Sequence, residues 1–144
     1  MNDLKDEIEN SALLKAIKDS LAEARDTTQK LSRIFKDNVL QLRLEQTESV
    51  LNQLTQNIVD LQTVMEFVGK LREGMQFFKN FALPVDPITN QGAGIGLFRE
   101  INAAIELKDW IMLSDLIEYE LAPLLIQEDE WMSSLEEKLK TYEI

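Results

Sequence analysis

Apolar residues recur at alternating intervals of three and four along the first half of the chain. Leu14, Ile17, Leu21, Ala24, Thr28, Leu31 and Phe35 form one ladder; Leu40, Leu44, Thr47, Leu51, Leu54, Ile58, Leu61, Met65, Val68 and Met75 form a second. That spacing puts one side chain per turn on a single helical face, so it predicts two long helices with coiled-coil-like seams. The first has candidate N-caps at Asn2 or Asp3, or at Asn10 or Ser11, and a body reaching about Lys36. Steps of three and four from Phe35 reach Asn38 rather than Leu40, so a tight helix–helix turn is expected at Asp37 and Asn38. Leu40, Leu42 and Leu44 alternate with polar residues as a strand would, but the chain offers no second strand to pair with them.

The second helix is then expected over residues 40–79, roughly 60 Å long, which exceeds the width of a compact domain of this size. Gly69 and Gly74 are candidate bending points, and a second copy of the chain is another way to cover the overhang. From Val64 to Phe81 the stripe widens to include Phe67, Leu71, Phe77 and Phe78, so the thickest core is expected there.

Residues 80–96, NFALPVDPITNQGAGIG, hold two of the three Pro and three of the five Gly, and regular structure should give way to a long connection or hinge. Gly92, Gly94 and Gly96 precede a new helix, but no strand leads into them and no Gly-Lys-Ser/Thr follows, so a phosphate cradle is not expected. A helical hairpin comes next. Its first helix, over 97–107, buries Phe98, Ile101, Ala104 and Ile105; its second starts at Asp109 as N-cap and buries Leu113, Leu116, Ile117, Leu121 and Leu124. Pro123 falls inside the second pattern, where its ring meets the carbonyl of Tyr119, so a kink or a fresh helix start is expected. Trp131, Leu135 and Leu139 mark a last amphipathic stretch. The reading is an all-α fold: an antiparallel four- to five-helix bundle with two long N-terminal helices and a shorter C-terminal helical hairpin. It forms one domain over 1–144, divided into a long helical hairpin (1–79), a Pro/Gly loop (80–96) and C-terminal helices (97–144).

With 144 residues, 44% of them hydrophobic, the chain can bury one continuous core. It has no His and no Cys, which excludes catalytic triads, His-bearing zinc sites, thiolate nucleophiles and disulfides. No apolar run approaches membrane-spanning length and no signal peptide opens the chain, so no membrane association and a cytoplasmic location are expected. The formal charge is −11, and residues 109–144 contain ten acidic residues against two Lys. Such a field repels nucleic acid and anionic lipid; it serves either as a solvated face or as a docking surface for a basic protein segment.

The chemistry left is that of carboxylates. Glu45-x-x-Glu48 and Glu106-x-x-Asp109 resemble the paired acidic residues with which all-helical nucleotide pyrophosphohydrolases hold Mg²⁺, and that resemblance implies a Mg²⁺-dependent nucleotide hydrolase as the alternative function. The two pairs lie far apart in the chain, and basic residues to hold a triphosphate are sparse. The main reading therefore carries no catalytic residue, metal or cofactor. Its partner-binding candidates are Leu51, Leu54 and Ile58 on the long seam, together with the aromatic anchors Trp110, Tyr119 and Trp131. Met65, Met75, Met112 and Met132 could fill core or line an adaptable groove.

Residues 102–125, NAAIELKDWIMLSDLIEYELAPLL, with a Lys-Asp turn, a Leu-Ser-Asp-Leu and a Glu-Tyr-Glu-Leu-x-Pro-Leu-Leu run, resemble the C-terminal hairpin of small uncharacterised helical proteins of Gram-positive and related bacteria. A short acidic bundle with Gln-rich amphipathic helices is also similar to flagellar secretion chaperones, which wrap an export substrate's helix. The ladder from Leu40 to Leu61 exceeds what the short C-terminal hairpin can cover, so burial against a partner or a second copy is expected, and the main reading is a non-enzymatic adaptor, chaperone-like or regulatory protein that binds a helical protein partner or itself as a homodimer.

Overall fold

The computed structural model describes residues 2–45, 47–88 and 93–142, with side chains from Leu4 onward. It is all-α. Helix α1 (Asn2–Leu44) is followed by α2 (Glu48–Met75), α3 (Ala93–Glu106), α4 (Trp110–Leu116), a π-helical turn (Ile117–Leu121) and α5 (Ala122–Thr141), the last three running on without a break. The N-cap expectation at Asn2 or Asp3 concerns side chains outside the described residues, as does Gly92 of the glycine cluster.

Helix α1 is the spine of the bundle. Asn38 meets Asn57 and Ile17 lies against Gly74, so α2 runs antiparallel to α1. Arg43 meets Asp115 and Glu118 while Arg25 meets Asp129 and Glu136, so the α4–α5 helix is antiparallel to α1 as well. The core falls into two clusters along this spine. Leu31, Phe35, Val39 and Leu42 pack with Val50, Leu54, Ile58 and Leu61 of α2, Leu97, Ile101 and Ala104 of α3, and Leu113, Leu116, Ile117, Leu121 and Leu125. Ile17, Leu21 and Ala24 pack with Val68, Leu71 and Met75 of α2, Phe78 beyond it, and Trp131, Met132, Leu135 and Leu139 of α5.

The expected turn at Asp37 and Asn38 is not there; α1 continues to Leu44 and α2 begins at Glu48. Asn38 keeps the 3,4 phase that leads from Phe35 to Leu42, and it is buried because Asn57 Nδ2 donates to its Oδ1 across the α1–α2 seam at 2.7 Å. A polar residue in step with the ladder looks like a break in it when only apolar residues are counted. Leu40 and Leu44 consequently sit on the outer face of α1, 60% and 83% exposed, rather than opening the next helix. Helix α2 begins where Thr47 caps it, its hydroxyl accepting from Val50 N at 3.3 Å. The range expected for this helix, 40–79, shrinks to 48–75; Gly69 and Gly74 lie within it, and Phe67 and Phe77 are exposed instead of joining the core.

The connection after α2 is laid along α5 as a strap. Tyr142 Oη donates to the carbonyl of Lys79 at 2.7 Å, Lys138 Nζ to Ala82 at 3.0 Å and Trp131 Nε1 to Pro84 at 3.1 Å. Strap position rises from 79 to 84 as the α5 position falls from 142 to 131, so the strap runs antiparallel to α5. These contacts supply donors to extended backbone that has no helix or sheet partner of its own. Phe78, Phe81 and Tyr142 cluster at its root, with ring centroids 5.3–6.2 Å apart. Helix α3 starts at Ala93, inside the expected loop, because the Gly94 N–H donates to the Ile88 carbonyl at 2.7 Å and Gly94 sits directly against Ile88.

Candidate interaction face

The outer side of α4 is set by the turn before it and the bulge after it. Helix α3 ends in a Schellman motif: Asp109 N donates to Ala104 O at 2.9 Å and Lys108 N to Ile105 O at 3.1 Å. Lys108 takes the left-handed position that usually falls to glycine, with φ 55°. Asp109 then caps α4, its Oδ1 accepting from Met112 N at 3.1 Å. Two helix ends are thus satisfied within three residues, and the entry angle of α4 is fixed.

At the other end Pro123 has no N–H for the Tyr119 carbonyl and its ring crowds that carbonyl. The chain answers with one wide turn, the Ala122 N–H reaching back five residues to Ile117 O, and a fresh α-helix, α5, then starts at Ala122 with Pro123 in its first turn, as the sequence suggested. Ile117 and Leu121 stay buried while Glu118, Tyr119 and Glu120 between them face solvent.

The result is a shallow depression lined by Asp109, Ile111, Met112, Asp115, Leu116, Tyr119 and Glu120. Ile111 is 76% exposed and Tyr119 67%. Arg43 reaches over from α1 to Glu118 at 2.6 Å and Asp115 at 3.3 Å. Glu118 first, and Asp115 beside it, hold the guanidinium more firmly protonated than usual. The face therefore has an apolar centre, a mainly acidic border and one cation tied to two of the carboxylates.

Of the residues expected from sequence, Tyr119 lies on this face and Trp110 is half-buried next to it. Leu54 and Ile58 are 1% and 3% exposed inside the α1–α2 seam, and Leu51 packs against the same cluster. The seam is filled intramolecularly: α1 is longer than the sequence reading allowed and covers it. Trp131 is buried, with its indole N–H committed to the strap. Glu45, Glu48, Glu106 and Asp109 are all exposed at helix ends, and no group of three or more acidic residues among those described is arranged to hold a metal. Sequence reasoning missed Ile111 and Arg43. Ile111 was detectable, since it falls out of step with the stripe formed by Leu113, Leu116 and Ile117. Arg43 was not, because its partners lie more than seventy positions away in the chain.

Among the described residues no helix is long and apolar enough to cross a membrane. A scan of protein-family models and searches of curated proteins and of solved structures found no match to this chain.

Proposed function

We propose that this chain is a non-enzymatic interaction module that docks an amphipathic helix of a protein partner, basic along its polar edges, on the outer face of α4. The observation that carries this reading is the pair Ile111 and Tyr119, large, exposed, and set in one depression with Asp109, Asp115 and Glu120. An apolar ridge fits such a depression, and Lys or Arg beside the ridge would meet the carboxylate border; the first supplies affinity and the second register and association rate. A second copy is the less suitable occupant, because two such faces bring like charges together.

The test uses a synthetic amphipathic helix with a leucine ridge flanked by lysines, and its glutamate-flanked counterpart. The lysine peptide should bind the wild-type chain, weaken as salt rises, and lose at least tenfold in affinity on Ile111→Glu, while thermal stability changes little because that side chain is outside the core. Equal binding by wild type and variant, or by the two peptides, would remove the proposal. Light scattering on the same samples covers the homodimer: a doubled mass abolished by Ile111→Glu would assign the face to self-association instead.

A further inference from the structure

Glu128, Trp131 and Lys138 of α5 and Tyr142, the residue that follows it, fall at spacings that bring them to one side of the helix, and the strap lies along that side. The last three each donate a hydrogen bond to a strap carbonyl. Glu128 is next in the series, and the strap residue that corresponds to it is Asp86. Glu128 is 0% exposed and Asp86 6%. Arg72 of α2 holds Asp86 Oδ2 at 2.8 Å, and the Ile88 N–H donates to Asp86 Oδ1 at 3.0 Å. Among the described residues, neither carboxylate oxygen of Glu128 has a hydrogen-bond partner. Two carboxylates can only accept, so as anions Glu128 and Asp86 cannot bond each other; with one proton between them they can.

We propose that Glu128 is a proton-dependent latch for the strap: as a neutral acid it donates to the Asp86 carboxylate, and loss of that proton to water frees the strap from α5. The inference is independent of the α4 face and uses the opposite half of the molecule.

The surroundings favour the neutral acid. Burial first, then the Asp86 carboxylate, push the Glu128 acid up to about 9, against smaller opposing effects of the Ile88 N–H and the Arg72 guanidinium. Arg25 of α1 is taken up by Asp129 and Glu136. The charged residues of α3, Arg99, Glu100 and Glu106, are exposed. Once the strap lifts, Glu128 meets water and returns to ordinary carboxylate acidity, so opening releases one proton. A group whose acidity is weakened by folding binds more protons closed than open. Its contribution is complete below the ordinary value of 4.5 and is lost progressively as pH rises through about 9.

Amide hydrogen exchange on the full-length chain tests this. Protection factors of strap peptides covering residues 79–88, corrected for the intrinsic pH dependence of exchange, should fall by up to about tenfold per pH unit between about pH 5 and 8. Peptides from the middle of α1 should not follow. In Glu128→Gln, whose amide donates without titrating, the strap profile should be flat and protected throughout. A flat wild-type profile, or the same slope in Glu128→Gln with helicity intact by circular dichroism, would overturn the latch. The wild-type profile decides the matter even if the variant does not fold.

Discussion

Gly69 and Gly94 both lie in helices, and what a methyl group would meet at each sets opposite outcomes. A Cβ at Gly69, in the middle of α2, has nothing within 4 Å, so Gly69→Ala should stabilise by about 0.5–1 kcal/mol through the smaller entropy of the unfolded chain. A Cβ at Gly94 would run into the Ile88 side chain and approach its carbonyl oxygen to 2.7 Å, where the strap hands over to α3. Gly94→Ala should therefore cost about 1–3 kcal/mol. Urea titration of both variants beside wild type gives the sign directly. In sequence the two glycines look alike, one a candidate bending point and the other part of a candidate hinge. Glu128 shows the same limit at residue scale. Its place on the helix was legible, but its protonation follows from Asp86, a loop residue more than forty positions earlier that only folding brings beside it.

At the scale of elements, α1 and α2 are registered by a polar pair in an apolar seam. Replacing Asn38 by Leu alone leaves the Asn57 amide without its acceptor and should cost about 1–3 kcal/mol, toward the lower end because Asn57 is half-buried. Replacing both by Leu should recover most of that loss, and a double-mutant cycle in urea would show coupling of about 1 kcal/mol. No recovery would mean that the pair contributes nothing beyond the volume it fills. The same pair explains the misplaced helix boundary. A ladder built from apolar residues stops at Asn38, whereas the physical seam continues through it, because a buried amide with a matched partner is tolerated where an unmatched one is not. The true stop was written at Thr47, a good N-cap followed by Glu48, and it was hidden by counting Thr47 as part of the ladder. The π turn belongs to this scale too. Pro123 announced a disturbance, but packing of Ile117 and Leu121 on one side and Leu125 on the other decided that it would be absorbed as a bulge.

At the scale of the whole molecule, one spine helix serves both core clusters, so no long apolar seam is left over. Leu54→Glu with Ile58→Glu, which would only dissolve an oligomer if that seam faced a partner, should instead cost more than about 4 kcal/mol and abolish helicity at 25 °C, as circular dichroism would record. Retained helicity in that variant would return the seam to the surface. Sequence alone determined that the chain is all-α, that its first half is two long helices and its last third a hairpin whose second helix starts at Asp109. Helical periodicity is a local signal, repeated often enough to survive a misread turn. It also determined the absence of His and Cys chemistry, which is a matter of composition. Tertiary structure decided which apolar stripes face inward, that residues 79–84 are pinned along α5, that Arg43 ties α1 to the α4 face, and that Asp86 comes beside Glu128. Each of these depends on pairs distant in sequence, and a one-dimensional pattern carries the period of a face but not the identity of what it faces.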